Sequence, residues 1–247
     1  MVESSKRSGE YNEALRRAYY SDVAERYEDM AEHILDAIRL AHDGHIEMDS
    51  ENRNFFSLAF KNIVGKKRNS WRMLQSERQK SPDDAVVIDG ILKKVRGELE
   101  TYIGRVLDTI EKYFRADEIQ ETGSKVFVTK MKGDYLRYRA EICEGEARKK
   151  AASGALDSYS EARKYAETLP PTDPVRLGLH LNFSVFYYEI MNDAEEACKL
   201  AKEAFETGIS ELDRLKEEHY KDSTLMLQLL RDNLTLWTTR NEVKNDK

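Results

Sequence analysis

The stretch KMKGDYLRYRAEICEGE, residues 130–146, is the part of the chain that best indicates its fold and function. If it is helical, Lys130 and Arg137 are seven residues apart, so two turns return both cations to nearly the same side, with Tyr138 one step around the surface. Lys61 and Arg68 show the same spacing in AFKNIVGKKRNSWR, whose apolar residues recur at helical intervals. Two helices that each carry a Lys and an Arg on one side suit a doubly charged, three-oxygen ligand, which is a phosphoryl group.

Cation pairs at this spacing also arise by chance in a chain of which 35% of the residues are charged. Most such pairs lie on a solvated helix surface and contribute little. Periodicity alone therefore leaves the solvated surface and the phosphoryl site both open. The two differ in one respect: a phosphoryl site requires the side chains to meet at one point.

Composition favours one large helical domain. The 247 residues contain only 4 prolines and no Pro/Gly/Ser-rich linker, and apolar residues recur with the helical period between charged ones. We therefore predict a single domain over residues 1–247, with flexible ends at 1–9 and 239–247. The net charge of -6 argues against a general nucleic-acid binder, which usually has a basic surplus.

Targeting and metal signals are absent from the sequence. No apolar run of about 18 residues predicts a membrane span, and no apolar signal segment follows the amino terminus. Cys143 and Cys198 lack metal or redox spacing, so we expect reduced thiols in the cytoplasm, with the nucleus as a further compartment. The loop residues His42, His45, Glu47 and Asp49 fit no ligand template, so we predict no metal and no cofactor.

Apolar periodicity predicts nine helices. The first two share residues 10–41 and break near 22–26, and the seventh begins at Pro174 with Asp173 as its N-cap. The others are expected at residues 51–78, 84–114, 123–143, 146–168, 194–217 and 223–240. In the fourth, Gly90, Gly97 and Gly104 recur every seven residues, which indicates a closely approaching neighbour or chance placement.

The seventh and ninth helices each carry an asparagine within an apolar stripe. A leucine stripe is ordinarily core, but a buried amide without partners costs about 1 to 3 kcal/mol. If the stripes instead line an open groove, Asn182 and Asn233 can bind an extended ligand backbone, with the leucines taking its side chains.

Other classes of protein are less well supported. The five histidines form no HExxH motif, and neither GxSxG nor a Gly-rich phosphate loop occurs, so we predict that the protein is not an enzyme. A tetratricopeptide-type scaffold would also have paired helices and a peptide groove, but no self-similarity at about 34 residues is present. Such a scaffold would bind peptides irrespective of phosphorylation.

Four blocks in order make the chain resemble the 14-3-3 family, a known example of phospho-motif recognition by arginine clusters. They are RNFFSLAFKNIVGKKRNSW, SKVFVTKMKGDYLRYRAE, PVRLGLHLNFSVFYYEI and YKDSTLMLQLLRDNLTLW. The resemblance implies an all-α fold of nine antiparallel helices in a cup-shaped bundle with an amphipathic ligand groove. It also implies an adaptor, usually a dimer, that binds phosphoserine or phosphothreonine peptides in signalling.

Residue by residue, the resemblance implies that Lys61, Arg68, Arg137 and Tyr138 bind the phosphate, with Lys130 nearby in the groove. Asn182 and Asn233 match the positions that hold the peptide backbone. The remaining groove positions implied by the motif are Leu181, Val185, Glu189, Leu225, Leu229, Leu236 and Trp237.

The resemblance further implies a homodimer that joins the first two helices of one copy to the third and fourth of the other. Arg26 and Asp29 match one side, and Lys94 and Glu98 match their partners. The apolar part departs from the family, because Tyr20 replaces a usual leucine and Ile91 a usual tyrosine, so we expect altered dimer geometry or stability. Ser70 matches a regulatory position whose phosphorylation weakens the dimer by bringing a dianion into the contact.

Overall fold

The computed structural model describes residues 2–46, 48–215 and 217–245, and it leaves out the side chains of 2–7, 214, 218 and 240–245. This part of the chain forms nine α-helices and no β-strand, which confirms the all-α prediction. The helices are α1 Val2–Val23, α2 Tyr27–Gly44, α3 Ser50–Lys80, α4 Ala85–Tyr113, α5 Thr122–Ile142, α6 Gly145–Ala166, α7 Pro174–Phe186, α8 Ala194–Ser210 and α9 Tyr220–Asn245. The chain divides after Arg115 into two compact units. The single domain remains a prediction.

The first unit contains α1 to α4. Helix α2 packs against α1 and α3, and its predicted inward residues Met30, Ile34 and Ile38 are buried. The predicted break between the first two helices is confirmed, since α1 ends at Val23 and Glu25 takes a left-handed φ of 53°. Helix α3 starts where the Asp49 side chain accepts a hydrogen bond from the Asn52 amide at 2.8 Å.

Gly90 and Gly97 of α4 do not meet a close neighbour among the described residues. A Cβ added at Gly90 or Gly97 would have no atom within 4 Å, so of the two alternatives that the sequence leaves open, a closely approaching neighbour is not found at these two positions. Both lie on an exposed surface together with Val86 and Val87. Without a packing partner, each glycine only weakens the helix, by about 1 kcal/mol relative to alanine.

The second unit is organised around α5 and α6, the helix pair with the most extensive contact. Gly133 of α5 makes that contact close, because a Cβ there would stand 2.9 Å from Cδ1 of Tyr159. Helix α7 starts as predicted, with the Asp173 carboxylate accepting from the amide of Val175 at 2.8 Å and Pro174 in the first turn. It widens into a π-helical turn, Tyr187–Met191.

Helix α8 ends earlier than the sequence predicts. It stops at Ser210, not near residue 217, and short 3-10 turns follow at Leu212–Arg214 and Glu217–His219. The residues beyond Ser210 are mostly charged and offer no continuous apolar stripe to bury, whereas Leu212 packs against the core shared by α7, α8 and α9.

The ends of the described chain are helical. Residues 2–9 belong to α1 and residues 239–245 to α9, where the sequence predicts flexibility, which remains a prediction. Met1 and residues 246 and 247 lie outside the described residues. No helix in the described ranges has an apolar stretch long enough to span a bilayer.

A buried histidine lies in the second unit. His180 on α7 is 7% exposed, and its Nδ1 has no hydrogen-bond partner. Arg176 and Glu203 line a small cavity of about 20 Å³ beside it. Burial and, to a smaller extent, the positive charges of Arg163 and Arg176 together lower the pKa of His180 from 6.5 to about 4.

This histidine predicts a loss of stability in acid. The unfolded chain takes up the proton near pH 6.5 and the folded chain only near pH 4, so the unfolding free energy falls as pH drops through that window. Between pH 7 and pH 5 we expect a loss of roughly 2 kcal/mol from this group. Urea unfolding at both pH values should show a flatter dependence in His180→Asn, while the exposed control His45→Asn behaves as wild type. An equal pH dependence in all three proteins would contradict the assignment.

Candidate functional site

The predicted cations of α5 lie around a buried carboxylate that the sequence analysis did not single out. Asp134 is 6% exposed and one turn from both Lys130 and Arg137. Its Oδ2 accepts a hydrogen bond from Lys130 Nζ at 2.8 Å, and its Oδ1 lies 3.5 Å from Arg137 Nη2. The helix thus presents two cations and one anion on the same side, with a surplus of one positive charge.

Two further helices contact the same carboxylate. From α6, the Tyr159 hydroxyl donates to Asp134 Oδ1 at 2.6 Å, and from α7 the Asn182 side-chain amide donates to the same oxygen at 2.9 Å. The Arg137 Nε donates to the Tyr159 hydroxyl at 3.1 Å, and the guanidinium carbon lies 4.7 Å from the centre of the Tyr138 ring. These five residues and Tyr138 form a connected group, called here the Asp134 cluster.

The protonation states of Asp134 and Tyr159 depend on burial, on neighbouring charges and on hydrogen bonds. Burial alone would raise the pKa of Asp134, but the positive charges of Lys130 and Arg137 and the donated hydrogen bonds hold that pKa below its usual value. Burial also raises the pKa of Tyr159 well above its usual value, so its hydroxyl stays neutral and keeps its proton to donate. Asp134 is therefore an ion at neutral pH and Tyr159 is not.

The predicted groove residues of α7 and α9 divide into exposed and buried ones. Leu225, Leu229 and Leu236 on α9 are 50%, 39% and 46% exposed, a solvent-facing stripe rather than core. Val185 and Asn233 are half-buried, and Glu189 is exposed. By contrast, Leu181 and Trp237 are buried in the core of α7, α8 and α9, where the Trp237 ring stacks on Tyr188 at 4.7 Å.

In the first unit, the predicted phosphate ligands of α3 differ in exposure. Lys61 is exposed, next to an open surface cavity of about 380 Å³ that Phe55 and Leu58 also line. Arg68 is half-buried. Both positions lie on the regular part of α3, so their helical spacing is as predicted.

The predicted dimer residues are mostly at the surface of the first unit. Tyr20 is 67% exposed and Ile91 is 46% exposed. Arg26 pairs with Asp29 within its own helix turn, and Lys94 is exposed. Glu98 accepts a hydrogen bond from Lys67 at 2.7 Å, so one of the predicted intersubunit charges already has an intrachain partner.

Two minor predictions concern Ser70 and metals. The Ser70 side chain is exposed, and its hydroxyl donates to the Lys66 carbonyl at 3.2 Å, so it is accessible to modification in the single chain. Among the residues whose side chains are described, no three or more His, Cys, Asp or Glu are grouped to hold a metal ion. Glu47 lies outside that part, and the absence of a metal remains a prediction.

Sequence reasoning missed Asp134 and Tyr159. Asp134 had a usable signal, since it stands four residues after Lys130 and three before Arg137, the spacings at which helical side chains meet. Tyr159 had none. It is one of 13 tyrosines and reaches the cluster only through the packing of α6 on α5.

Comparison with known proteins identifies the class. The sequence model of the 14-3-3 protein family matches residues 17–238, so the chain belongs to the 14-3-3 family. It is 50% identical to a 14-3-3 protein homolog of Encephalitozoon cuniculi, over 95% of this chain and 93% of that protein. It is 45% identical to the human 14-3-3 protein beta/alpha, over 94% of each chain, and 45% identical to the 14-3-3 family protein artA of Aspergillus flavus, over 93% and 97%.

Family membership settles the general role. Proteins of this family are adaptors that bind phosphorylated partners and generally form dimers, so this protein is an adaptor rather than an enzyme. The tetratricopeptide-type scaffold that the helical pattern left open is thereby excluded.

The Asp134 cluster predicts a large stability effect. Asp134→Ala would leave the guanidinium of Arg137 buried without its carboxylate, which typically costs about 3 to 5 kcal/mol. We expect a fall of at least about 3 kcal/mol in the unfolding free energy, measured by urea denaturation at pH 7. The exposed Asp157→Ala on α6 is the control, with an expected change within about 0.5 kcal/mol. Equal effects of the two substitutions would contradict the role of Asp134 as the counter-ion.

Proposed function

We propose that the protein is a phosphoserine- and phosphothreonine-dependent adaptor that binds phosphorylated client peptides in an amphipathic groove. By binding them it regulates client activity, localisation or assembly in signalling. The observation that carries the proposal is the Asp134 cluster, because it keeps an arginine and a lysine in fixed positions on α5 with a surplus of positive charge. A guanidinium in a fixed orientation can grip two phosphoryl oxygens at once.

The phosphate ligands in this proposal are Arg137 and Tyr138 of α5 together with Lys61 and Arg68 of α3. Lys130 contributes charge nearby. The family match over residues 17–238, which includes all five positions, supports the assignment. In α5, the contact of the Arg137 guanidinium with the Tyr138 ring supports it further, because the phenol can donate to the same anion.

The peptide backbone would be held by Asn182 and Asn233. The side-chain amide nitrogen of Asn182 is directed to Asp134, which orients its carbonyl oxygen as an acceptor for a peptide N–H. Apolar side chains of the client would contact Val185 and the exposed leucines of α9, with Glu189 at the polar margin. We assign Leu181 and Trp237, which are buried, a supporting role beneath this surface.

We further propose a cytoplasmic homodimer. Exposed Tyr20 and Ile91 provide an apolar surface on the first unit, and Arg26, Asp29, Lys94 and Glu98 provide charges of both signs. Ser70 is the proposed regulatory phosphorylation site, since a dianion near this surface would oppose association. Cys143 and Cys198 are free thiols, in keeping with a reducing compartment.

Removing the central arginine tests the phosphate site. Losing one partner of a desolvated charge contact costs roughly 2 to 5 kcal/mol, so Arg137→Ala should weaken phosphopeptide binding at least about thirtyfold. The fold should persist, because Lys130, Tyr159 and Asn182 continue to donate to Asp134. Calorimetric titration with a phosphorylated peptide and its unmodified twin measures the effect.

Arg163→Ala, which removes an arginine paired with Glu203 on α8, is the control. Unchanged affinity in Arg137→Ala would contradict the assignment.

A pair of isoleucines tests the dimer surface. Ile91 on α4 and Ile209 on α8 are both 46% exposed, so they differ in location and not in burial. A charge in an apolar interface is desolvated without a partner, and we therefore expect Ile91→Asp to raise the dimer dissociation constant at least about tenfold. Ile209→Asp should leave it unchanged. Sedimentation velocity at low micromolar concentration measures both, and a wild-type protein that is only monomeric there would refute the homodimer.

A further inference from the structure

Tyr159 is the one member of the Asp134 cluster that comes from α6, and its position is fixed by packing. Its side chain is fully buried, and its ring stacks on Phe183 with 5.2 Å between centroids, while Phe186 lies 5.6 Å away. On the other side the ring lies directly against α5 at Gly133, where even a methyl group would approach to 2.9 Å. Packing therefore fixes the position of the Tyr159 hydroxyl, and the side chains that hydrogen-bond to it must orient towards that position.

Those partners are Arg137, a ligand in the proposed phosphate site, and its counter-ion Asp134. The Tyr159 oxygen donates to Asp134 Oδ1 at 2.6 Å and accepts from Arg137 Nε at 3.1 Å. Both separations lie within normal hydrogen-bond range for O–H···O and N–H···O contacts. One hydroxyl thus joins the anion and the cation of α5, and each of its two bonds involves an ionised group.

The Nε contact has a direct consequence for the guanidinium. Arginine has five N–H donors in one plane, and a bond at Nε fixes the direction of that plane. The Tyr138 ring at 4.7 Å and the Asp134 carboxylate near Nη2 restrict it further. The two Nη groups carry four donors, more than a bidentate grip on two phosphoryl oxygens uses. Tyr159 therefore occupies the donor that the anion does not need.

We propose that Tyr159 is a positioning residue for phosphate binding, which acts by holding the guanidinium plane of Arg137 in its binding orientation before the ligand arrives. The proposal rests on the proposed function, because it assigns Tyr159 a role at the same site. Tyr159 does not itself contact the ligand. Its effect is to remove the conformational freedom that a long side chain otherwise loses on binding.

The test compares Tyr159→Phe with Tyr165→Phe. Both substitutions remove a hydroxyl from α6 that donates to a carboxylate, but Tyr165 pairs with the exposed Glu161 at 2.9 Å, away from the cluster. Fluorescence polarisation with a phosphoserine peptide should show about fivefold to tenfold weaker binding for Tyr159→Phe, which lies within the range expected for the net contribution of one typical hydrogen bond. Tyr165→Phe should bind as wild type, and the unmodified peptide should bind all three proteins equally weakly.

A double-mutant cycle separates positioning from a merely structural role. If Tyr159 acts through Arg137, then Tyr159→Phe should have no further effect on affinity in the Arg137→Ala background. If it acts by loosening the core, the two losses should add. Two outcomes would overturn this inference but leave the proposed function standing. One is additive losses, and the other is an unchanged affinity in Tyr159→Phe while the wild type prefers the phosphopeptide. A wild type that binds both peptides equally would overturn the proposed function and this inference with it.

A measurement on the unaltered protein keeps the proposal testable should Tyr159→Phe fail to fold. The Nε–H of an arginine that is hydrogen-bonded inside the protein exchanges slowly with water. In ¹⁵N-labelled wild-type protein we expect a protected arginine Nε–H resonance at neutral pH that disappears in Arg137→Lys. Rapid exchange of that proton in the free protein would overturn the inference.

Discussion

A single buried carboxylate links three helices of the second unit, α5, α6 and α7. Placing an ion in the protein interior is costly unless it is paired and hydrogen-bonded, and Asp134 meets this condition with donors from three helices. Lys130 lies on α5, Tyr159 on α6 and Asn182 on α7, so the charge can be buried only when all three helices are in place. The requirement couples the packing of the helices to the position of the cations. The charge pattern that we propose binds phosphate is thus part of the fold.

The same carboxylate sets the electrostatic character of the site. Two cations on the same side of a helix, two turns apart and without a counter-ion, would repel in the absence of a ligand, and Asp134, one turn from each, relieves that repulsion. It also reduces their attraction for any weak anion. A phosphoryl dianion offers about two charges and three acceptor oxygens, whereas a carboxylate offers one charge and two oxygens. A partly neutralised pair of cations therefore favours the ligand with more charge and more acceptors, in a chain whose net charge is -6.

The sequence predicts local features of this protein better than features that depend on several helices. The break before α2 and the Asp173 cap follow from capping chemistry and from the spacing of apolar and polar residues, whereas spacing alone leaves the leucines of α9 open between core and groove. The sequence places the end of α8 too late. Charged residues are common both within helices and in the segments that follow them, so they do not mark where this helix ends. Tyr159 could not be found at all, since its role arises from the contact between α5 and α6. The spacing of residues within one helix does not indicate which side chain of an adjacent helix will contact it.

This dependence on packing joins stability to binding in a particular way. The ring of Tyr159 belongs to the aromatic core with Phe183, Phe186 and Tyr187, yet its hydroxyl ends at Arg137. Protein interiors are close-packed, so a change of one methyl group beside the ring displaces the hydroxyl by a comparable distance. Because a hydrogen bond weakens steeply with misalignment, a small shift in the core becomes a change in the orientation of the guanidinium. Residues that are not assigned to the ligand, such as Gly133, thereby contribute to the geometry of the proposed phosphate site.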